Sequence, residues 1–96
     1  MLTINETCFH QTVAGNPRFL IWFYTEWCGF CAAMRKEVEA FTQLPVFACD
    51  AELCGLLTAK FAVASVPCLV LIENGKPVRK AVGDMRKSEI ANYFVG

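Results

Sequence analysis

Two cysteines separated by two residues, Cys28 and Cys31, are the side chains of this sequence best suited to chemistry. They stand where an almost continuously apolar run, residues 18–25, gives way to a segment with helical apolar spacing. A thiol at a helix amino terminus meets unpaired N–H groups and the positive end of the helix dipole, and both favour a thiolate. Cys31, three residues later on the same face, is placed to attack a mixed disulfide formed at Cys28. The pair therefore predicts thiol–disulfide exchange.

The residues around the pair suit a site that a peptide can approach. Gly29 has no side chain, so it leaves space for a substrate backbone. We expect Trp27 to form an exposed apolar wall beside the thiol. Phe30 either covers apolar surface or contacts the substrate.

The same spacing also occurs in half of a zinc site, which requires two further ligands. The one histidine, His10, falls in another predicted helix, where a packed or solvated role is favoured. The four other cysteines do not repeat the spacing; they are Cys8, Cys49, Cys54 and Cys68. A cysteine-ligated metal or iron–sulfur site is therefore the less favoured alternative.

Apolar periodicity predicts the elements that position the pair. Residues 18–25 read as a central strand covered on both faces. Residues 28–41 read as an amphipathic helix, because apolar residues recur at steps of three and four. The predicted buried stripe consists of Cys31, Met34, Val38 and Phe41.

The remaining segments complete an alternating order. Strands are predicted at residues 3–4, 44–49, 66–73 and 76–82, the last two joined by a tight Asn74-Gly75 turn. One helix is predicted from an Asn5 cap to Gly15, another over residues 51–61 with an Asp50 cap, and a third over residues 86–95. The side chains expected to face inward from the last two are Leu53, Leu56, Leu57, Phe61, Ile90, Tyr93 and Phe94. The order β-α-β-α-β-α-β-β-α predicts an α/β fold with a central mixed sheet and helices on both faces.

Composition excludes several classes of protein. Ninety-six residues, 55% of them hydrophobic and 19% charged, predict one folded domain over residues 1–96 and exclude intrinsic disorder. Nine basic residues balance nine acidic ones, which argues against a nucleic-acid binder. The apolar runs are too short to span a membrane, and residues 1–11 lack the pattern of a signal peptide. We therefore expect a cytoplasmic monomer, whose cysteines serve catalysis, redox sensing or metal binding.

Three segments resemble the thioredoxin family. Residues 23–31, which end in Trp27-Cys28-Gly29-Phe30-Cys31, resemble its active-site segment, whose usual motif is Trp-Cys-Gly-Pro-Cys. The segment around Val66-Pro67 resembles the one that carries the family's cis-proline, and Gly83 stands in the place of a glycine that lines the substrate groove. The order of elements fits along all 96 residues, which implies the thioredoxin fold.

The resemblance also implies a function. Cys28 would be the nucleophile and Cys31 the resolving thiol in exchange with protein disulfides, with cis-Pro67 bordering them. Val66 would offer its backbone to an extended peptide. No cofactor is required, and an upstream reductase would recycle the dithiol.

The sequence departs from the family pattern at five positions, one of which is Val46, near the place of a Lys on the following strand that is absent here. Trp22 stands where thioredoxins carry a buried Asp that acts in proton transfer with the resolving thiol. Phe30 replaces the motif's Pro, Lys36 replaces a kinking Pro, and Cys68 replaces a Thr. These changes predict an altered redox centre. They also keep open a non-catalytic binding module or a redox sensor built on the same fold.

A second redox pair is predicted at Cys49 and Cys54. Cys49 ends a strand parallel to the one feeding Cys28, so both should emerge at the same end of the sheet. The matching family position is an apolar residue of the substrate surface, so we expect Cys49 to be partly accessible. A turn at Asp50 would bring the two Cα atoms within disulfide range. The alternative is that both are packed thiols.

Overall fold

Five strands and four helices form the fold in the computed structural model, which describes residues 1–96. In chain order they are β1 (Leu2–Thr3), α1 (Phe9–Gly15), β2 (Arg18–Tyr24), α2 (Gly29–Ala40), β3 (Val46–Asp50), α3 (Gly55–Lys60), β4 (Cys68–Glu73), β5 (Lys76–Val82) and α4 (Lys87–Phe94). The predicted α/β order is confirmed, with small shifts of the bounds. None of the four helices combines the length and the apolar character that crossing a bilayer requires.

The strands form one mixed sheet with β2 at its centre. The spatial order is β1-β3-β2-β4-β5. β3 runs parallel to both β1 and β2, whereas β4 runs antiparallel to both β2 and β5. At the β5 edge the register shifts between Leu71 and Ile72, and Pro77 lies opposite Ile72. The mixed sheet predicted from the sequence is confirmed.

Side-chain alternation along β2 divides the core into two layers. All five residues from 19 to 23 are fully buried. Phe19, Ile21 and Phe23 pack in the cluster that includes side chains of α1 and α3. Leu20 and Trp22 pack on the opposite face, in the cluster that includes side chains of α2 and α4. The prediction of helices on both faces is confirmed.

The stripe predicted for α2 is also confirmed. Cys31, Met34, Val38 and Phe41 are all buried. Because these positions repeat at helical steps, one face of α2 lies against the sheet, while Lys36 and Glu39 are exposed. The helix is continuous through Lys36.

Two expectations about helix caps are wrong, and so are three about inward-facing side chains. Asn5 does not cap α1; its side chain accepts a hydrogen bond from the Cys8 amide at 3.1 Å and closes a turn before the helix. Asp50 likewise closes a turn by accepting from the Glu52 and Leu53 amides, so α3 begins only at Gly55.

The later start of α3 changes which side chains it buries. Leu57 and Phe61 are buried as predicted, but Leu53 and Leu56 are exposed. In α4, Ile90 and Phe94 are buried and Tyr93 is exposed, where its hydroxyl donates to the Lys80 carbonyl.

The turn between β4 and β5 has the predicted conformation. Asn74 and Gly75 have positive φ angles of 53° and 82°, the combination that a tight hairpin turn requires. The Asn74 amide donates to the Pro17 carbonyl at 2.8 Å, which ties this turn to the start of β2.

Gly75→Ala should lower the free energy of unfolding by about 1–2 kcal/mol, because a side chain is strained at positive φ. The added Cβ would also lie only 3.2 Å from Val13 Cγ1. Gly15→Ala is the matched control, since no atom lies within 4 Å of its Cβ and its φ is not positive. Urea denaturation measures both. Equal stability changes in the two variants would contradict this account of the turn.

Candidate active site

Cys28 occupies the position that its sequence context predicts, at the amino end of α2. It is the N-cap residue, and its Sγ accepts a hydrogen bond from the Cys31 amide at 3.1 Å. Its carbonyl accepts from the Ala32 amide at 3.2 Å, which starts the helix. The side chain is half-buried. The helix dipole and the donated N–H therefore act on a sulfur that a substrate can reach.

Cys31 lies one turn further along α2 and faces the core. It is only 2% exposed and packs in the same cluster as Trp22 and Met34. Burial raises the pKa of its thiol to about 12, with a further contribution from the neighbouring Cys28 sulfur. The charge of Arg35 and the backbone of Thr25 act in the opposite direction. Cys31 is therefore a protonated thiol near neutral pH.

The segment before β4 borders Cys28. The Val66–Pro67 peptide bond is cis, as the resemblance implies. The Val66 carbonyl oxygen lies 3.9 Å from Cys28 Sγ, and the Val66 N–H makes no hydrogen bond. Gly83 donates its N–H to the Pro67 carbonyl at 2.9 Å and has a φ of 110°, a conformation that favours glycine.

The residues flanking Cys28 in sequence present apolar surface. Trp27 is 81% exposed and Phe30 is 69% exposed. No atom lies within 4 Å of the place where a Cβ at Gly29 would stand. Trp27 is therefore exposed apolar surface next to Cys28 in the chain, and the space at Gly29 is open.

Trp22 belongs to an aromatic and cationic stack that sequence reasoning missed. Its ring lies 5.0 Å from that of Tyr24 and nearly parallel to it. The Arg35 guanidinium carbon lies 5.0 Å from the Trp22 ring centre and 5.3 Å from that of Tyr24. Positions 22 and 24 share a strand face, and Arg35 is one helical turn after Cys31, but this spacing does not fix how closely the helix approaches the strand. Trp22 is fully buried, and its Nε1 has no hydrogen-bond partner.

Comparison with known proteins agrees with this geometry. The family model described as Thioredoxin matches residues 1–95. The chain belongs to the thioredoxin family. A thioredoxin from Haemophilus influenzae is 30% identical over an alignment of 102 positions, which covers 98% of this chain and 94% of that protein. The solved structure of a mutant thioredoxin from Halobacterium salinarum superposes with a TM-score of 0.87 at 27% identity, covering 96% of this chain and 88% of the other.

One further relative combines two proteins. The bifunctional thioredoxin reductase/thioredoxin of Mycobacterium leprae is 30% identical over 87 residues, which cover 85% of this chain and 19% of that protein. Together these matches establish the thioredoxin fold and the activity class: the chain is a thiol–disulfide oxidoreductase.

The other cysteines of this thioredoxin-family chain lie away from Cys31. Cys68 is fully buried in the α1–α3 layer, on the opposite face of the sheet from Cys31. Cys8 is half-buried against the same layer, and His10 is exposed. No group of three or more His, Cys, Asp or Glu side chains is arranged to hold a metal ion.

Cys49 and Cys54 are brought together, but not at the surface. Both belong to the α1–α3 layer, and each thiol lies close enough to the other to change its pKa. Cys49 is 0% exposed, so the expectation that it is partly accessible is wrong. The Cys49 side chain lies on the opposite face of the sheet from that of Ala48, which packs in the same layer as Cys31, because neighbouring strand residues alternate between faces. Cys54 caps α3 rather than lying inside its first turn.

Alkylation should modify Cys28 well before Cys31. Cys28 is half-buried at a helix terminus, whereas Cys31 is buried and has a pKa raised to about 12 by burial. Short exposure of the reduced protein to iodoacetamide near neutral pH, followed by peptide mass mapping, measures the order. In the control Cys28→Ser, Cys31 should remain slow. Faster labelling of Cys31 than of Cys28 in the unsubstituted protein would reverse the assigned roles.

Proposed function

We propose that this chain is one thioredoxin-like domain over residues 1–96 that reduces disulfides in other proteins. In this reaction the Cys28 and Cys31 thiols are oxidised to a disulfide. The observation that carries the proposal is the arrangement of the two sulfurs. One is reachable at a helix amino terminus and the other is buried one turn behind it, joined by the 3.1 Å contact from the Cys31 amide.

The first step uses Cys28 alone. Its thiolate attacks one sulfur of the substrate disulfide, the substrate S–S bond breaks, and the departing substrate thiolate takes a proton from water. The product is a mixed disulfide between Cys28 and the substrate. The half-buried position of Cys28 leaves the sulfur open to this attack.

The second step uses Cys31. Its thiolate attacks Cys28 Sγ, the mixed disulfide breaks, and the second substrate sulfur leaves as a thiolate that takes a proton from water. Two electrons have then passed to the substrate, and Cys28 and Cys31 are joined. In the mixed disulfide Cys28 carries no charge, so its contribution to the high pKa of Cys31 disappears while that of burial remains.

The proton of Cys31 determines the rate of this second step. Trp22 offers no carboxylate to accept it, so the proton passes to solvent. Arg35 compensates in part, because its charge lowers the pKa of Cys31 while two aromatic rings hold its guanidinium in place. We therefore assign Arg35 as a positioning residue that favours the Cys31 thiolate.

An extended peptide is the form of substrate that the groove fits. The unpaired Val66 N–H and the Val66 carbonyl beside Cys28 can bond to a peptide backbone as a neighbouring strand would. Pro67 and Gly83 border this contact, and Trp27 and Phe30 supply apolar surface for the substrate side chains.

The cellular setting of the proposal is a reducing one. Six free thiols suit the cytoplasm, where the chain would act as a monomer in electron transport and redox homeostasis. A thioredoxin reductase would return the disulfide to the dithiol. Neither a cofactor nor a nucleic-acid or membrane partner enters the scheme, and the net charge is zero.

The protein should accelerate reduction of a protein disulfide by dithiothreitol, and Cys28→Ser should abolish the acceleration because the attacking sulfur is lost. Cys31→Ser should instead accumulate the mixed disulfide, seen by mass spectrometry as a covalent substrate adduct. Cys68→Ser, on the opposite face of the sheet, is the control that should retain activity. Substrate binding without turnover in the unsubstituted protein would instead support the binding module.

Trp22→Asp should change the pH dependence of mixed-disulfide resolution. In the unsubstituted protein the resolution rate should rise about tenfold per pH unit above neutrality, because only the Cys31 thiolate attacks. A carboxylate at position 22 could accept the proton and flatten this rise near neutral pH. The substitution should also lower the free energy of unfolding by about 1–3 kcal/mol or more, since it buries a polar group.

Stopped-flow kinetics of adduct release between about pH 6 and about pH 9 would measure the effect; the upper end of this range lies about three pH units below the Cys31 pKa. Trp22→Phe is the control, because it keeps an apolar ring and adds no acid; its profile should match that of the unsubstituted protein. An unchanged profile in folded Trp22→Asp would exclude proton transfer as the consequence of this substitution.

A further inference from the structure

We propose that Cys49 and Cys54 form a second dithiol, which a peroxide oxidises to a reversible disulfide independently of Cys28 and Cys31. In this dithiol Cys54 reacts first and Cys49 closes the disulfide. The turn geometry, the access from solvent and the charges of the surrounding groups each support this assignment.

A tight turn folds Cys54 back onto the end of β3. The Cys54 amide donates to the Asp50 carbonyl at 2.9 Å, and the Asp50 side chain accepts from the amides of Glu52 and Leu53 at 3.0 and 3.3 Å. Cys49, the residue before Asp50, packs in the same apolar cluster as Cys54. Neither thiol needs to cross a layer of the fold to reach the other.

Only one of the two cysteines lines a space that is open to solvent. Cys54 is 6% exposed and lines an open cavity of about 370 Å³, together with Glu6, Tyr24 and Asp50. Cys49 is 0% exposed and does not line this cavity. A small reagent in the cavity therefore meets Cys54 first, with Cys49 beside it.

The pKa shifts of the two thiols indicate the same order. Burial is the largest cause that raises the pKa of each. The neighbouring Cys49 thiol lowers the pKa of Cys54, whose Sγ donates to the Ile4 carbonyl at 3.8 Å, whereas Cys54 raises the pKa of Cys49 further. Cys54 thus ionises before Cys49 and becomes the attacking sulfur.

The charges around the cavity select the class of oxidant. Glu6 and Asp50 raise the pKa of both thiols, Cys8 adds to the effect at Cys54, and no basic side chain lines the cavity. Negative carboxylates disfavour an anionic oxidant such as oxidised glutathione. A neutral peroxide has no such penalty and is small enough for the cavity.

The reaction balances with one peroxide. The Cys54 thiolate attacks a peroxide oxygen, the O–O bond breaks, and the leaving hydroxide takes up the thiol proton as water. The resulting sulfenic acid is attacked by the Cys49 sulfur, the S–O bond breaks, and a second water leaves with the Cys49 proton. Two thiols lose two electrons and two protons, and hydrogen peroxide becomes two waters.

The test begins with a Cys28→Ser/Cys31→Ser variant, so that its result is independent of the proposed exchange activity. Treatment with hydrogen peroxide at mildly alkaline pH should lower the intact mass by two hydrogen atoms. A protease that cleaves after Glu52 then separates Cys49 from Cys54, leaving their peptides joined only by the disulfide. Because both pKa values are raised, the rate of linkage should increase about tenfold per pH unit.

Two further variants serve as controls. With Cys49→Ser added, Cys54 should stop at a sulfenic acid that a dimedone reagent traps. With Cys68→Ser added, the linkage should be unchanged, because this buried thiol lies outside the pair. The same digest of peroxide-treated unsubstituted protein provides the result if a variant fails to fold. Free Cys49 and Cys54 thiols, or a Cys8–Cys54 linkage instead, would overturn the proposal.

Discussion

The burial of β2 between β3 and β4 determines the position of every group in the redox site. Its five central residues are fully buried, and residues 20–23 pair with a neighbouring strand on both sides. A shift of one residue would exchange the two faces, placing Phe23 against α2 and Trp22 against α3. In this register β2 ends at Tyr24. Cys28 then caps α2 beyond the carboxyl end of β2, with its Sγ near the Val66 carbonyl oxygen.

The same burial shapes the chemistry of Cys31. At position 22 a carboxylate would lie in an apolar layer, whereas the tryptophan packs there and leaves only one N–H unpaired. Arg35 covers the ring from the helix side and brings a positive charge near Cys31. The Arg35 charge therefore offsets only part of the rise in the Cys31 pKa that burial causes. Because no carboxylate stands at position 22, the Cys31 proton has no internal acceptor there.

The sequence predicted those parts of the fold whose pattern has only one physical solution. The apolar run of β2, the stripe from Cys31 to Phe41 and the Asn74-Gly75 turn each specify one structure. Asp50 was ambiguous, because an Asp can cap either a helix or a tight turn, and the choice decided whether Leu53 is buried. The Arg35 stack depends on an approach between strand and helix that spacing alone cannot fix.

The two edges of the sheet have a consequence for how this protein meets copies of itself. With 55% hydrophobic residues, a long flat edge strand would invite intermolecular pairing and aggregation. Instead β1 has only two residues, and β5 carries Pro77, which has no N–H, beside a register shift. Lys76, Arg79 and Lys80 add positive charges along the same strand. Newly synthesised chains at high concentration therefore present no long, flat edge strand for intermolecular β-pairing, although their interior is almost entirely apolar.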